Sequence, residues 1–137
     1  MYSSARVASS DKIVSVIDDD IDICRLFRDA LCENMEGVKV VAFNDPIKAL
    51  EHFTENKVHY ALVISDLRMP GLNALELLKK IKDSNPKVRT ILMSAYNFEE
   101  EERFQQYMED AVINSTIEKP VTMNRLYERV REQLFLN

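Results

Sequence analysis

Acidic residues close two apolar runs in this chain of 137 residues. Asp18 and Asp19 follow Ile13-Val14-Ser15-Val16-Ile17, and Asp66 follows Tyr60-Ala61-Leu62-Val63-Ile64-Ser65. Far behind them stands Lys119-Pro120. Each apolar run has the length of a strand. A parallel α/β sheet gathers the C-terminal ends of its strands along one edge, where such sheets bind ligands. Three carboxylates held together there repel one another and resist joint ionisation. A hard divalent cation such as Mg²⁺ relieves that repulsion and prefers oxygen ligands. One carboxylate can then act as a nucleophile toward phosphorus, while the metal and a lysine hold the phosphoryl oxygens. The chemistry to expect is a phosphoryl-accepting aspartate.

The elements that must position these residues are legible in the hydrophobic period. Strands are expected over residues 12–17, 38–43, 60–65, 89–93 and 111–117. Between them the apolar spacing turns helical. Ile23, Leu26, Phe27, Ala30 and Leu31 would form one face of a helix over 20–34, with Asp20 as its cap. Asp45 caps and Pro46 opens a second helix reaching about residue 55. Pro70-Gly71 breaks the chain after Asp66, and Leu75, Leu77, Leu78 and Ile81 mark a third helix ending near residue 84. Glu99-Glu100-Glu101-Glu102 opens a fourth over 98–108, where negative charge favours a helix N-terminus. Met123, Leu126, Tyr127, Val130 and Leu134 line the last. Strict βα alternation predicts an α/β fold: a (βα)5, doubly wound, five-stranded parallel sheet with helices on both faces.

Size and composition set the outer bounds. A chain of this length fits one domain, expected to span residues 12–137 behind a flexible N-terminal tail of residues 1–11. With 46% hydrophobic and 30% charged residues it reads as a soluble globular protein. No apolar run approaches the ~20 residues of a membrane span. The N-terminus has no secretory h-region. A cytoplasmic setting is expected. The net charge of -5 argues against nucleic-acid binding, which needs a basic footprint. Cys24 and Cys32 share one expected helix, on the order of 12 Å apart, beyond the ~7 Å that a disulfide allows; free thiols are expected. Gly37 and Gly71 are the only glycines, so there is neither a P-loop nor a dinucleotide fingerprint. Asp18, Asp20 and Asp22 imitate the start of an EF-hand loop, but Ile23 and Asp29 stand where that loop needs Gly and Glu. An aspartate-nucleophile phosphatase fails on its motif and on the absence of room for a cap domain. His52 and His59 are isolated and read as ordinary surface or partly buried residues.

Four segments together resemble the response-regulator receiver domains. Val16-Ile17-Asp18-Asp19-Asp20 is similar to that family's acidic opening. The stretch Ser65-Asp66-Leu67-Arg68-Met69-Pro70-Gly71-Leu72-Asn73-Ala74-Leu75-Glu76-Leu77-Leu78 resembles its phosphoacceptor segment. Ile91-Leu92-Met93-Ser94-Ala95 resembles its fourth strand, and Glu118-Lys119-Pro120 its lysine-proline element. The resemblance implies a flavodoxin-like strand order 2-1-3-4-5. It also implies roles. Asp66 would accept a phosphoryl group from a phosphohistidine on a histidine kinase or histidine phosphotransfer protein. Asp19 would bind Mg²⁺ or Mn²⁺ directly, Asp18 mainly through water, and Asp66 and the Arg68 carbonyl would complete the protein ligands. Ser94 and Lys119 would each hold a phosphoryl oxygen, with a peptide to Pro120 that is typically cis in the family. Such a domain is a switch rather than an enzyme for turnover. It is expected to act alone, on an unidentified protein target, with homodimerisation on phosphorylation as one outcome.

Each residue also has a plainer reading. Adjacent acids are usually a solvated turn, Asp66 alone could be a turn acid, and a serine after a strand is often a helix cap. Two positions depart from the family pattern. Thr116 stands where an aromatic switch residue is usual, so coupling between Ser94 and an inward-swinging ring cannot operate in its common form. Ala74 replaces a frequent glycine. Thr116 leaves a phosphorylation-independent interaction module as the alternative. In the family that the chain resembles, the positions of Tyr96 and Arg68 flank the path of the hydrolytic water, so bulky side chains there would be expected to shield the phosphoryl group.

Overall fold

In the computed structural model, residues 12–95 and 98–135 are described. The expected tail, residues 1–11, lies outside the described residues, as does Tyr96. The elements run β1 Lys12–Ile17, α1 Ile21–Asn34, β2 Val38–Phe43, α2 Pro46–Asn56, a 3-10 turn Lys57–His59, β3 Tyr60–Asp66, α3 Ala74–Ser84, β4 Arg89–Ser94, α4 Phe98–Glu109, β5 Ser115–Glu118 and α5 Met123–Phe135. The five strands pair in the order β2-β1-β3-β4-β5, every pair parallel. That is the flavodoxin-like order expected.

Side chains alternate faces along each strand, and the two faces build two cores. Ile13, Ile17, Val63 and Leu92 pack against Ala49 and Phe53 of α2, Leu75, Leu78 and Ile81 of α3, and Phe104 of α4. Val14, Val16, Leu62, Ile64, Ile91 and Met93 pack against Phe27 and Leu31 of α1 and Leu126 and Val130 of α5. The central strand β3 is buried on both sides, which is why it reads as an unbroken apolar run. Each such fully buried Leu or Ile contributes about 1.5–3 kcal/mol of apolar burial.

Helix starts are set by short polar side chains. The Asp20 carboxylate accepts from the backbone N–H of Asp22 at 2.9 Å and of Ile23 at 3.4 Å. Asp45 accepts from Ile47 N–H at 2.9 Å, with Pro46 at the first helical position. Asn73 does the same for α3, accepting from Leu75 N–H at 2.8 Å. Each cap satisfies N–H groups that have no partner within the helix.

Two expectations need correction. Leu26 was assigned to the buried face of α1 but is 54% exposed. The buried stripe is Cys24, Phe27 and Leu31, so the seven-residue interval falls one position away from the leucine. The fifth strand was expected from residue 111, yet β5 begins at Ser115. Ala111 adopts a left-handed φ of 60°, and the N–H groups of Val112 and Ile113 both donate to Tyr107 O, at 2.8 and 3.2 Å. The apolar residues there close the end of α4 instead of entering the sheet.

Candidate functional site

The register of the sheet brings the chemistry-bearing residues to one level. Ile17 pairs with Phe43 on one side and Ser65 on the other, Asp66 pairs with Met93, and Ser94 pairs with Glu118. Asp18, Asp66, Ser94 and Lys119 therefore stand at the same carboxyl edge. Backbone bonds carry the ladders slightly past the strands: Asp18 N–H donates to Phe43 O at 3.1 Å, Leu67 N–H to Met93 O at 2.9 Å, and Lys119 N–H to Ser94 O at 2.9 Å. These bonds fix the backbone on which each functional side chain is mounted.

Asp18, Asp19 and Asp66 each offer a carboxylate oxygen within 4.8 Å of the others. Asp18 and Asp66 are buried, whereas Asp19 faces solvent. Lys119 Nζ lies 2.7 Å from Asp66 Oδ1 and 4.0 Å from Asp18 Oδ2. Asp18 Oδ1 also accepts from Asp20 N–H at 2.9 Å. Burial, with the nearby Asp66 charge, raises the Asp18 carboxyl to about 6 against the opposing Asp20 N–H and Lys119. One ammonium faces three carboxylates, so the pocket holds an excess of negative charge that a divalent cation would neutralise. The all-oxygen donor set suits a hard ion such as Mg²⁺ or Mn²⁺. The residues present fit that group.

The remaining expected residues are distributed around this cluster. Ser94 ends β4, half-buried, one residue past the partner of Asp66. Arg68 is exposed two residues beyond Asp66. Lys119-Pro120 is a cis peptide. Thr116 pairs with Leu92, is half-buried, and accepts a hydrogen bond at its carbonyl from Arg129 Nε at 3.3 Å. The expected thiols are free, with Cys24 buried and Cys32 exposed. His52 is partly buried, with Nδ1 2.6 Å from the Tyr60 hydroxyl, while His59 is exposed.

Sequence reasoning missed Cys24 as part of the site's frame. Its Sγ–H lies 3.1 Å from Asp18 O and 3.1 Å from Phe43 O, tying α1 to the ends of β1 and β2. Burial, together with the surrounding acids, raises this thiol to about 11, which keeps it protonated and able to donate. The available signal was its place on the buried stripe of α1, one turn after the cap. Ser65 was also missed: its buried hydroxyl donates to Asp66 O at 2.9 Å, beneath the phosphoacceptor candidate.

Comparison with known proteins agrees with this arrangement. The chain is 32% identical over 121 residues to the regulatory protein VanRB of Enterococcus faecalis, covering 88% of this chain and 51% of that protein. It is 26% identical over 125 residues to sporulation initiation phosphotransferase F of Bacillus subtilis, covering 91% of this chain and 94% of that one. The chain spans between 14% and 51% of the length of other curated relatives and VanRB. Among solved structures, the response regulator TrrA of Thermotoga maritima, determined in complex with Mg²⁺-BeF, superposes with a TM-score of 0.72 at 27% identity, covering 90% of this chain and 99% of that one. The family model described as the response regulator receiver domain matches residues 14–131, from the first apolar run through the last helix. With the acids, the lysine-proline element and the strand order all inside that span, this chain belongs to the response regulator receiver domain family.

Proposed function

We propose that Asp66 is the phosphoacceptor of a Mg²⁺-dependent receiver, charged by a phosphohistidine on a histidine kinase or a histidine phosphotransfer protein. The observation that carries this reading is the buried Asp66 carboxylate, paired with Lys119 at 2.7 Å and set within 4.8 Å of two further acids. In the transfer an Asp66 oxygen forms a bond to phosphorus as the phosphorus–nitrogen bond breaks. The electron pair leaves on the imidazole. A bound Mg²⁺ or Mn²⁺, held by Asp18, Asp19, Asp66 and the Arg68 carbonyl, would supply charge neutralisation for the phosphoryl oxygens. Lys119 and the Ser94 hydroxyl would hold two of those oxygens, as positioning and charge stabilisation dominate such transfers. The acyl phosphate then shifts an equilibrium between conformations that a protein target distinguishes.

This is signalling by one phosphoryl group per chain, in a cytoplasmic setting, rather than turnover of an external substrate. The receiver unit would run from residue 12 onward. The acids and lysine standing together do not favour the phosphorylation-independent alternative. Thr116 means that the conformational shift must travel without an aromatic side chain at that position. Arg68 and Tyr96 would shield the acyl phosphate from water; an unchanged dephosphorylation rate in Arg68→Ala with Tyr96→Ala would remove that part of the reading.

The test is intact mass after incubation with a small-molecule acyl phosphate, with and without Mg²⁺, for wild type and Asp66→Asn. The expected result is one added phosphoryl group in wild type only, and only with the metal. No gain in wild type under conditions where Mg²⁺ binds would overturn the proposal.

A further inference from the structure

Among the described residues two lysines are half-buried and the others are exposed. The two stand at opposite edges of the sheet. Lys119, at the carboxyl edge, faces Asp66 and Asp18. Lys82, in the last turn of α3, lies at the amino edge, where β4 and β5 begin. It has no carboxylate within 4 Å among the described residues. Its partner is a neutral amide: Nζ donates to Asn114 Oδ1 at 2.6 Å. The same oxygen accepts from Thr90 N–H at 2.9 Å, and Asn114 N–H donates to Thr90 O at 3.1 Å. Thr90 is fully buried, so the amide is fixed against the start of β4. Next to Thr90 stands Arg89, half-buried, its Nε donating to Gln133 Oε1 at 2.8 Å. Arg89 also has no carboxylate within 4 Å among the described residues. The amino edge plays no part in the phosphoryl chemistry.

An ammonium so placed gives up its proton readily. The end of α3 favours a cation, but burial and then the like charge of Arg89 act against it and lower Lys82 to about 8. Near that pH the neutral amine is abundant, and a desolvated lysine beside another cation is a nucleophile. The surroundings then select among electrophiles by the product they hold. An acyl donor would leave a neutral amide, for which the Arg89 charge does nothing. Carbon dioxide leaves an anion. The Nζ lone pair forms a bond to carbon, the electron pair of one carbon–oxygen π bond moves onto oxygen, and a proton leaves Nζ for water. The carbamate nitrogen keeps one hydrogen, which preserves the bond to Asn114 Oδ1. The field of Arg89, which opposes the ammonium, attracts the carbamate. Carbon dioxide is also small enough to reach an amine that is half-buried.

We propose that Lys82 is a reversible carbamate site for carbon dioxide, where a cation at the amino edge of the sheet is exchanged for an anion that Asn114 and the charge of Arg89 retain. The modification reverses the charge between α3 and the start of β4 while leaving Asp66, Lys119 and the acids untouched.

The test equilibrates the full chain with isotope-labelled bicarbonate at about pH 8, where a lowered lysine amine and dissolved carbon dioxide coexist. Triethyloxonium then ethylates any carbamate, and peptide masses locate the label. Glycylglycine in the same sample reports that trapping has worked. Wild type is expected to carry the labelled ethyl carbamate on Lys82, with about tenfold less on Lys80, an exposed lysine of the same helix. Arg89→Gln is expected to lower the Lys82 label by about threefold or more, because its charge both frees the amine and attracts the product. Lys82→Gln, which can still donate to Asn114, is expected to remove the main carbamate resonance of the intact protein. The wild-type map stands without any variant. An unlabelled Lys82 beside trapped glycylglycine overturns the proposal. So does a Lys80 label as heavy as that of Lys82, an Arg89→Gln protein labelled like wild type, or a carbamate resonance at full intensity in K82Q.

Discussion

Lys119 and Asp66 meet at 2.7 Å although their strands, β5 and β3, are separated in the sheet by β4. The lysine side chain passes over the end of β4, where Ser94 sits, to reach the acid. Its backbone is held to that same strand by the Lys119 N–H to Ser94 O bond of 2.9 Å. One cation is thereby committed to one oxygen of the proposed phosphoacceptor before any phosphoryl group arrives.

Lys119→Gln keeps a polar group of similar reach but removes the charge. The rate of phosphorylation by an acyl phosphate is expected to fall by about 10²-fold, the usual loss when one preorganised donor to developing charge is removed. Initial rates by intact mass would show it. A rate within about threefold of wild type would mean that Lys119 does not hold the phosphoryl group.

Asp18 is buried beside a second buried carboxylate, so its ionised form costs the fold stability. Asp18→Asn preserves an oxygen for the Asp20 N–H and removes that charge. In chelator, thermal or urea unfolding should show the variant more stable by about 1–3 kcal/mol. Wild type should recover about 2.7 kcal/mol at Mg²⁺ a hundredfold above its Kd, and the variant less than half of that at the same concentration. A variant less stable than wild type in chelator would show that crowding of the acids is not a cost here.

Lys82 supplies a pH dependence at the other end of the sheet. Its half-buried ammonium donates to Asn114 Oδ1 at 2.6 Å, and burial followed by the charge of Arg89 lowers it from 10.5 to about 8. Between pH 8 and 10.5 the unfolded chain holds this proton more tightly than the folded one. Stability contributed by this group therefore rises with pH across that window, and the penalty is fully present below it. Lys82→Gln should flatten the rise. The difference between the two unfolding profiles should amount to about 1–2 kcal/mol after allowing for partial solvent exposure. Parallel profiles from pH 7.5 to 10.5 would contradict the environment described.

The two cysteines should separate cleanly by reactivity. Cys32 is exposed, whereas Cys24 is buried and its thiol stands near 11. Since the thiolate is the nucleophile, iodoacetamide at pH 8 should add once to the native chain and twice after unfolding. Cys24→Ala should also cost about 1–3 kcal/mol, from the loss of one thiol proton shared between two carbonyls and a small void. Two rapid additions to native protein would show that α1 does not seal the thiol.

The alternation of strands and helices was readable because each strand run ends in a polar residue and each helix repeats its apolar positions. The acids and the lysine were readable because each closes such a run, so the fold class alone puts them on one edge. The start of β5 was not, since Ala111, Val112 and Ile113 are as apolar as a strand; only the left-handed Ala111 and the bonds back to Tyr107 end the helix there. Leu26 misled because hydrophobicity alone does not say which of two adjacent helical positions faces the sheet. Asp18 and Asp19 are the same residue type side by side, yet one is buried and the other exposed. Asp18 is still held in the sheet ladder by its N–H to Phe43 O bond, a contact between strands that local sequence does not spell out.

The Cys24 thiol lies against the carbonyls of Asp18 and Phe43, so α1 packs directly on the ends of the two strands beneath the acidic edge. The outer side of that helix presents Arg25, Leu26 and Asp29 to solvent. On the proposed function, a kinase or phosphotransfer protein that clasped α1 would thereby be aimed at Asp66. The helix would then work as an alignment key, recognised by the partner so that its phosphohistidine arrives in line.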